Sequence, residues 1–267
     1  MCVKLLLFLI FVTLINCHNS YECTSMDKGL MYPLPNESTN SKCDYVNATL
    51  ENEILVLRIF YETLSGFEWI NKGLWLQSNV SFCLWGGIEC DENCHVRSLN
   101  IQNNNLIGTI PIEISQLEHL KFVYLLCNSI TKGLLNLSKL RLPRRLNLDY
   151  NVINEKLSDM PNTLEMLSLQ NNYIYGTIPN SYSNLKSLEL ILLSNNYLIG
   201  TLPLLTSQNL TLINFSNNNL SGNIPINYFD LETLEYLYLN NNNLNGNIYQ
   251  TIKVKNTVDL SHNNLNG

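Results

Sequence analysis

The stretch LNIQNNNLIGTIP begins at Leu99, and its pattern of leucine, asparagine, glycine and proline returns four more times along the chain. The related stretches are LSLQNNYIYGTIP from Leu167, LLSNNYLIGTLP from Leu192, NFSNNNLSGNIP from Asn214 and YLNNNNLNGNI from Tyr238. All five fit one frame, L-x-x-L-x-L-x-x-N-x-L-x-G-x-I-P, whose asparagine recurs every 21 to 24 residues. These frame asparagines are Asn104, Asn128, Asn151, Asn172, Asn196, Asn218, Asn242 and Asn263. A period of this length predicts a solenoid of stacked coils.

Each position of the frame has a physical reason. The L-x-L segment predicts one short strand per coil, and neighbouring coils stack these strands into a parallel concave sheet. The aliphatic residues point inward, and a single coil cannot bury them, so stability depends on the stacking of neighbours. The frame asparagine satisfies backbone groups that the turn leaves unpaired inside the coil. The frame glycine permits backbone angles or close approaches that a Cβ would block.

The L-x-G-x-I-P ending resembles the plant-type class of extracellular leucine-rich repeats. That class includes ectodomains of receptor-like kinases and receptor-like proteins and the secreted polygalacturonase inhibitors, and similar arrays occur on protist surfaces. The resemblance covers roughly residues 49–267. It implies an α/β fold, a right-handed horseshoe solenoid with a parallel concave sheet, about eight coils and a helical, disulfide-clasped N-terminal cap.

Residues 1–17 are predicted to be a secretory signal peptide. Lys4 supplies the positive charge, and the apolar run Leu5–Ile15 is too short for a membrane span, which needs about 20 apolar residues. A single-pass anchor is the alternative interpretation. Residues 18–48 form a polar leader, and no later segment is continuously apolar. We therefore expect a chain that is secreted or lies on the extracellular side of the cell surface.

Composition agrees with export and limits the partners. Charged residues make up 14% of the chain, below the roughly 25% of typical soluble domains. The net charge of −6 comes with no basic patch, which argues against nucleic acid. Exported chains carry glycans on N-x-S/T, and six such sequons lie at Asn36, Asn47, Asn79, Asn136, Asn209 and Asn219. The last three lie off the strand tips, where glycans would leave the concave sheet free.

Residues 49–95 are predicted to form the cap. Leu50, Ile54, Leu57, either Phe60 or Tyr61, and Leu64 recur at helical spacing, with Asn47 or Thr49 as the helix N-cap and Ser65-Gly66 as its end. The three tryptophans, Trp69, Trp75 and Trp85, are expected to form a small core rather than a binding site.

Six cysteines remain after signal removal, an even number in an oxidising compartment. The resemblance implies that CLWGGIEC, from Cys83 to Cys90, is the disulfide clasp of plant-type caps. Proximity suggests Cys23 with Cys43, while Cys94 and Cys127 stay unassigned. A zinc site of Cys83, Cys90, Cys94 and His95 is conceivable, but export favours disulfides, and we expect no metal and no cofactor.

Function is predicted on the concave face. Alternation along each strand turns two positions per coil to solvent, and most of these residues are small and polar. Tyrosine and arginine are enriched at binding hot spots. The exceptions that we expect to contact a ligand are Tyr124, Leu126, Arg144, Arg145, Asp149 and Tyr150 on adjacent coils, with Tyr238 in a second group. The alternative is that these are ordinary surface residues.

The second and third coils lack the G-x-I-P ending, which suggests sequence drift or a local change of curvature. The repeats, residues 96–267, stop at the frame glycine in the middle of a coil and without a C-terminal cap. We therefore expect either that the natural protein is longer or that the reading frame is truncated. A third alternative is that a partner covers the apolar edge of the last coil. A catalytic role finds no support, because the histidines are spread along a solenoid and are not expected to converge.

Two functions remain. One is a recognition module for a protein, a peptide or a glycan, free or as part of a cell-surface receptor. The other is a secreted structural or adhesive wall or matrix protein, or an inhibitor of an extracellular hydrolase.

Overall fold

A computed structural model describes residue 43 and residues 50–248 and 253–266. The predicted signal peptide, nearly all of the leader and the sequons at Asn36 and Asn47 lie outside the described residues. No helix of the described part has the length and apolar composition that a membrane crossing requires.

Two sheets run along the stack of coils. The concave sheet has nine strands in the order β1-β2-β4-β6-β7-β9-β11-β13-β15, and every pairing except that of β1 with β2 is parallel. Its strands are β1 (Ile88–Cys90), β2 (Val96–Asn100), β4 (Phe122–Tyr124), β6 (Arg145–Asn147), β7 (Met166–Ser168), β9 (Leu190–Leu192), β11 (Leu212–Asn214), β13 (Tyr236–Tyr238) and β15 (Thr257–Asp259). Leu169, Leu193 and Leu239 are fully buried just after neighbouring strands, as a solenoid requires. The predicted leucine-rich repeat fold is confirmed.

The sequence did not predict a second sheet, whose strands follow those of the first sheet in every described coil except the third. Five of its strands pair in the order β16-β14-β12-β10-β8, and β3 pairs with β5 separately. These strands are β3 (Ile107–Thr109), β5 (Ser129–Lys132), β8 (Tyr175–Thr177), β10 (Tyr197–Thr201), β12 (Asn219–Gly222), β14 (Asn243–Asn247) and β16 (Asn264–Asn266). The frame L-x-G-x-I-P is thus the sequence of a second, short parallel strand.

The second sheet is interrupted between β5 and β8, and the third coil, which lies between these strands, explains the interruption. Glu155 stands there at the frame glycine position, and only a single bridge, Lys156 to Tyr175, joins that coil to β8. In the regular coils the glycine takes left-handed angles, for example a φ of 84° at Gly200. Such angles strain any residue with a Cβ. The Glu155 carboxylate instead accepts hydrogen bonds of 2.7 and 2.6 Å from the N–H groups of Gly133 and Leu134.

The frame asparagines form the predicted buried ladder. Asn196 is representative: its Oδ1 accepts a 3.0 Å hydrogen bond from the Ile174 N–H of the previous coil. Its Nδ2 donates to the carbonyls of Leu169 at 2.9 Å and Leu193 at 3.2 Å. The residue before each frame asparagine has a φ of 50° to 56°, as at Asn195. Asparagine tolerates that conformation better than most residues, which explains why doublets of asparagine recur.

The N-terminal cap begins with a helix, Glu51–Thr63, that buries Leu57 and Phe60 against the first coil. The residue before this helix is Leu50, which makes no side-chain capping bond, and the predicted capping residues Asn47 and Thr49 lie outside the described residues. The three tryptophans are buried and in contact, as predicted. Short 3₁₀ turns lie in the cap at Gly66–Glu68 and Phe82–Leu84, and short 3₁₀ or α-helical turns lead from the second sheet back to the first at Ile112–Gln116, Leu134–Leu137, Asn180–Asn184 and Asn227–Asp230.

Disulfides close the cap. The clasp, the Cys83–Cys90 disulfide, is confirmed. Cys43 pairs with Cys94, so the suggested pairing with Cys23 is wrong, and the zinc alternative fails because its thiols are oxidised. Cys127 is also disulfide-bonded. The spacing of cysteines along the chain could not reveal the pairing of Cys43 with Cys94, because these residues are 51 positions apart and only the fold brings them together.

Candidate functional site

The concave sheet presents three outward rows of side chains, because each strand alternates around one buried residue. The first row precedes that residue and consists of Ser98, Phe122, Arg145, Met166, Leu190, Leu212, Tyr236 and Thr257. The second row follows it and consists of Asn100, Tyr124, Asn147, Ser168, Leu192, Asn214, Tyr238 and Asp259. The third row, just past the strands, consists of Gln102, Leu126, Asp149, Gln170, Ser194, Ser216, Asn240 and Ser261.

The first row is largely apolar, and the sequence analysis missed it. Phe122, Leu190, Leu212 and Tyr236 are half-buried, so each keeps part of its surface in contact with solvent. Tyr236 stacks on Tyr238 with ring centroids 6.4 Å apart. The signal was present, because alternation turns the residue before the inward leucine outward just as it does the residue after it. The concave face therefore combines an apolar row with the polar surface that was predicted.

The second and third rows are joined by a polar network. The Asp149 carboxylate accepts hydrogen bonds from the Ser168 hydroxyl at 2.7 Å and from the Gln170 N–H at 2.6 Å. The Gln170 side-chain oxygen then accepts from the Ser194 hydroxyl at 2.8 Å and from the Asn214 amide at 3.3 Å. The network crosses four coils and holds these side chains in fixed positions, which reduces the entropy that a ligand must overcome on binding.

Asp149 is the most perturbed acid of this surface. Burial raises the pKa of its carboxyl to about 6, although the hydrogen bonds from Ser168, Gln170 and Asn147 favour the ionised form. Desolvation thus outweighs hydrogen bonding at this position. The charge of the network therefore changes between mildly acidic and neutral pH.

A cluster of four charged residues lies beside the polar network, at the start of the strands. Arg144 donates a 2.8 Å bond to the Glu165 carboxylate, while Arg145 lies 3.8 Å from Glu165 and 4.0 Å from Glu189. The sequence analysis did not identify the two glutamates. Because the Arg145 contacts are long, its guanidinium has donor capacity left for a further acceptor.

The structure brings only some of the predicted ligand-binding residues together. Tyr124 is buried, which raises the pKa of its hydroxyl, although the hydrogen bond and charge of Arg145 act in the opposite direction. Leu126 lies two residues further along the same coil and is half-buried. Tyr150 is in the turn after β6 with a φ of 53°. Tyr238 lies on β13, separated from β6 by three strands.

Two histidines of the cap and the first coil do converge, contrary to the sequence expectation. The rings of His95 and His119 stack with centroids 4.1 Å apart. The Nδ1 of His95 lies 2.7 Å from the Glu53 carboxylate, and that of His119 lies 2.8 Å from Asp91. Stacking of successive coils brings residues one repeat apart into contact, which their spread along the sequence concealed. Within the described ranges, no three His, Cys, Asp or Glu residues form a group that could hold a metal ion.

Comparison with known proteins supports this architecture. The leucine-rich repeat family model matches residues 95–117, 163–185, 209–231 and 233–253. A comparison with curated proteins finds no match. Among solved structures, the complex PEPR1-AtPEP1 is 27% identical with a TM-score of 0.68 over 81% of this chain and 32% of that one.

Two further structures show how widely the fold is used. The plant peptide hormone receptor RGFR1 in complex with RGF2 is 29% identical, with a TM-score of 0.59 over 64% of this chain and 29% of that one. A plant ice-binding protein, at 22% identity, has a TM-score of 0.54 over 81% of this chain and 88% of that one, a likeness of fold alone. The chain thus spans about a third of the length of the PEPR1 and RGFR1 chains.

Proposed function

We propose that this leucine-rich repeat chain, similar to the plant extracellular class, is a recognition module that binds a protein or peptide on its concave face. The observation that carries the proposal lies in the first row, where the half-buried side chains of Leu190, Leu212 and Tyr236 lie on three successive strands beside a polar network. Strands of a sheet lie about 4.8 Å apart, so a peptide laid across them meets a new coil at nearly every residue or two. Apolar side chains of the ligand would bury the first row, and its backbone amides would pair with the polar rows.

The charged cluster supplies specificity. Arg145 has long contacts with Glu165 and Glu189, so a ligand carboxylate near it would gain a charge-assisted bond at little cost in existing contacts. Arg144 is half-exposed and already bonded to Glu165. Ligands with an acidic group near this end of the row are therefore favoured over ligands with a basic one.

The extracellular setting has independent support. The chain carries disulfides in its cap, and disulfides persist in oxidising compartments. An apolar N-terminal run of the length of a signal peptide precedes them. Two similar structures are the complex PEPR1-AtPEP1 and the plant peptide hormone receptor RGFR1 in complex with RGF2. We propose that this chain acts likewise outside the cell, free or as the ectodomain of a receptor, and that its role is binding and not catalysis.

The test uses the full chain, secreted from a eukaryotic host and immobilised. A displayed library of random peptides is selected against it, and enriched peptides are titrated against two leucine variants. Leu212→Asp places a charge in the first row, whereas Leu204→Asp changes an exposed leucine that lies beyond the second sheet, away from the concave face. Enriched peptides should lose at least about tenfold in affinity with Leu212→Asp and stay unchanged with Leu204→Asp.

Two outcomes oppose the proposal. One is a failure to enrich any peptide over a blank surface, which would favour a structural or adhesive role instead. The other is equal loss of affinity in both variants. Thermal unfolding of each variant establishes that a loss at Leu212 is not a loss of folding, and Tyr238→Ala, a milder change in the second row, gives a second measurement.

A further inference from the structure

The second sheet carries an exposed apolar patch that the concave binding site does not use. Its members are Tyr173, Tyr175, Tyr197 and Ile199, with exposed fractions of 38%, 44%, 57% and 50%. Tyr173 and Tyr197 stack with ring centroids 6.0 Å apart and an angle of 12° between their planes. Contiguous exposed aromatic surface of this kind marks an interaction site more often than scattered residues do.

The row that holds the stacked rings continues along the sheet. Tyr173 and Tyr197 occupy the position after the frame asparagine in successive coils, and Asn219 occupies that position in the next coil. Asn219 is exposed, and its strand pairs with β10 so that Asn219 lies opposite Ile199. β8 and β12 flank β10 on opposite sides, so Tyr173 and Asn219 lie on opposite sides of Tyr197 along the row.

Asn219 begins the sequon Asn219-Leu220-Ser221, in which Leu220 is buried between the exposed asparagine and the half-buried serine. We propose that an N-linked glycan on Asn219 covers this patch, with the apolar face of its first sugar stacked on the free face of Tyr197. The occupant of the patch is thus a modification of the chain itself. The inference rests on the export that the proposed function requires, but it concerns the sheet next to the concave one.

Chemically, the modification forms a bond between Nδ2 of Asn219 and C1 of the first sugar. The amide loses one proton, and the bond from C1 to the pyrophosphate of a lipid-linked oligosaccharide breaks, with the electron pair leaving on the pyrophosphate. Such glycans are added to N-x-S/T sequons of exported chains.

The composition of the surface agrees with a neutral sugar. In the described part of the second sheet, the outward residues of β8, β10, β12, β14 and β16 include no charged side chain. Beyond Asn219 they are mostly amides, including Asn243, Asn245 and Asn247, which can both donate to and accept from hydroxyl groups. Aromatic faces next to amide groups suit a pyranose ring, which has an apolar face and polar edges.

The first measurement is the occupancy of each sequon, by mass spectrometry of glycopeptides from the secreted full chain. Asn209 is the matched reference, since it is exposed at a turn and begins the sequon Asn209-Leu210-Thr211. We expect both sites to be occupied. Glycan on Asn209 with a bare Asn219 would overturn the inference while leaving export intact. Absence of glycan from every sequon would remove the export as well.

The second measurement tests the stacking. Amidase release of the glycan from the native chain should be slow at Asn219, and Tyr197→Ala should accelerate it at least threefold without changing release at Asn209. Tyr175→Ala removes an equally exposed ring that is two strands away from Asn219 and serves as the control. Equal acceleration by both alanine variants, or by neither, would contradict the stacking.

A double-mutant cycle completes the test at equilibrium. Combining Tyr197→Ala with Asn219→Gln isolates the coupling between ring and glycan and cancels the loss of the Tyr173 contact. By analogy with aromatic pairs, the coupling should be about fivefold in the equilibrium constant for unfolding. The cycle of Tyr197→Ala with Asn209→Gln should show no coupling, and coupling of the same size there would show that the effect is not local.

Discussion

The buried carboxyl of Asp149 offers a sharp test of the electrostatics of the concave face. Its pKa is about 6 in the folded protein, against 3.8 for an ordinary aspartate, because burial disfavours the charged form. The folded state therefore holds a proton over a pH range where the unfolded chain has released it. Its contribution to stability is complete below about pH 4 and is lost as the pH rises through 6.

The perturbation is Asp149→Asn, which keeps the shape and removes the charge. The difference between the folded pKa of about 6 and the unfolded value of 3.8 corresponds to about 3 kcal/mol. The free energy of unfolding of the variant minus that of the parent should therefore rise by about 3 kcal/mol between pH 4 and pH 8. Subtracting the parent cancels the titration of the histidines and the other acids.

Urea unfolding followed by far-ultraviolet circular dichroism, at intervals from pH 4 to 8, measures this difference. Asp259→Asn is the matched control. Hydrogen bonds from Ser261 lower the pKa of Asp259 below its ordinary value, so its contribution to stability is already present at pH 4, and the difference between this variant and the parent should stay nearly flat from pH 4 to 8. A difference for Asp149→Asn that stays flat, or falls as the pH rises, would refute the argument that desolvation outweighs the hydrogen bonds.

Three further predictions concern the scaffold. Asn196→Ala should cost about 2 kcal/mol in urea unfolding, because it leaves the buried Ile174 N–H without a partner and removes one of the two amide donors to the carbonyls of Leu169 and Leu193, whereas the exposed Asn245→Ala should stay within about 0.5 kcal/mol. Replacing both Cys43 and Cys94 by alanine should lower the free energy of unfolding by about 4 kcal/mol on the chain-entropy model, because this disulfide closes a loop with a sequence separation of 51 residues. Replacing both cysteines of the clasp should cost only about 2 kcal/mol, because their separation is 7 residues. Calorimetry that ranks the two losses in the reverse order would contradict the loop-length argument. Gly200→Ala should lower the melting temperature, because its φ is 84° and a Cβ would lie 2.9 Å from a methyl group of Thr177; an unchanged melting temperature would show that the second sheet adjusts without strain.

Predictions from the repeat frame were accurate where one residue type has one structural role. Seven of the eight frame asparagines are buried, and Asn263 is half-buried; their amides bond as expected, since an amide at that point is the simplest partner for the unpaired backbone of the turn. The clasp followed from the resemblance of its motif. The second sheet was missed because a three-residue strand has too little alternation to reveal itself. The glutamates beside Arg145 were missed because each comes from a different coil.

The sequence alone determined the coil, because the period of leucine, asparagine and glycine fixes which side chains must turn inward before any neighbour is known. It also located the sequons and the candidate residues of each strand. Only the tertiary structure decided which coils meet side by side, and with that the His95–His119 stack, the Asp149 network and the row from Tyr173 to Asn219. Contacts between residues some twenty positions apart depend on the exact length of each coil, and the register that results is a property of the stack and not of any single repeat.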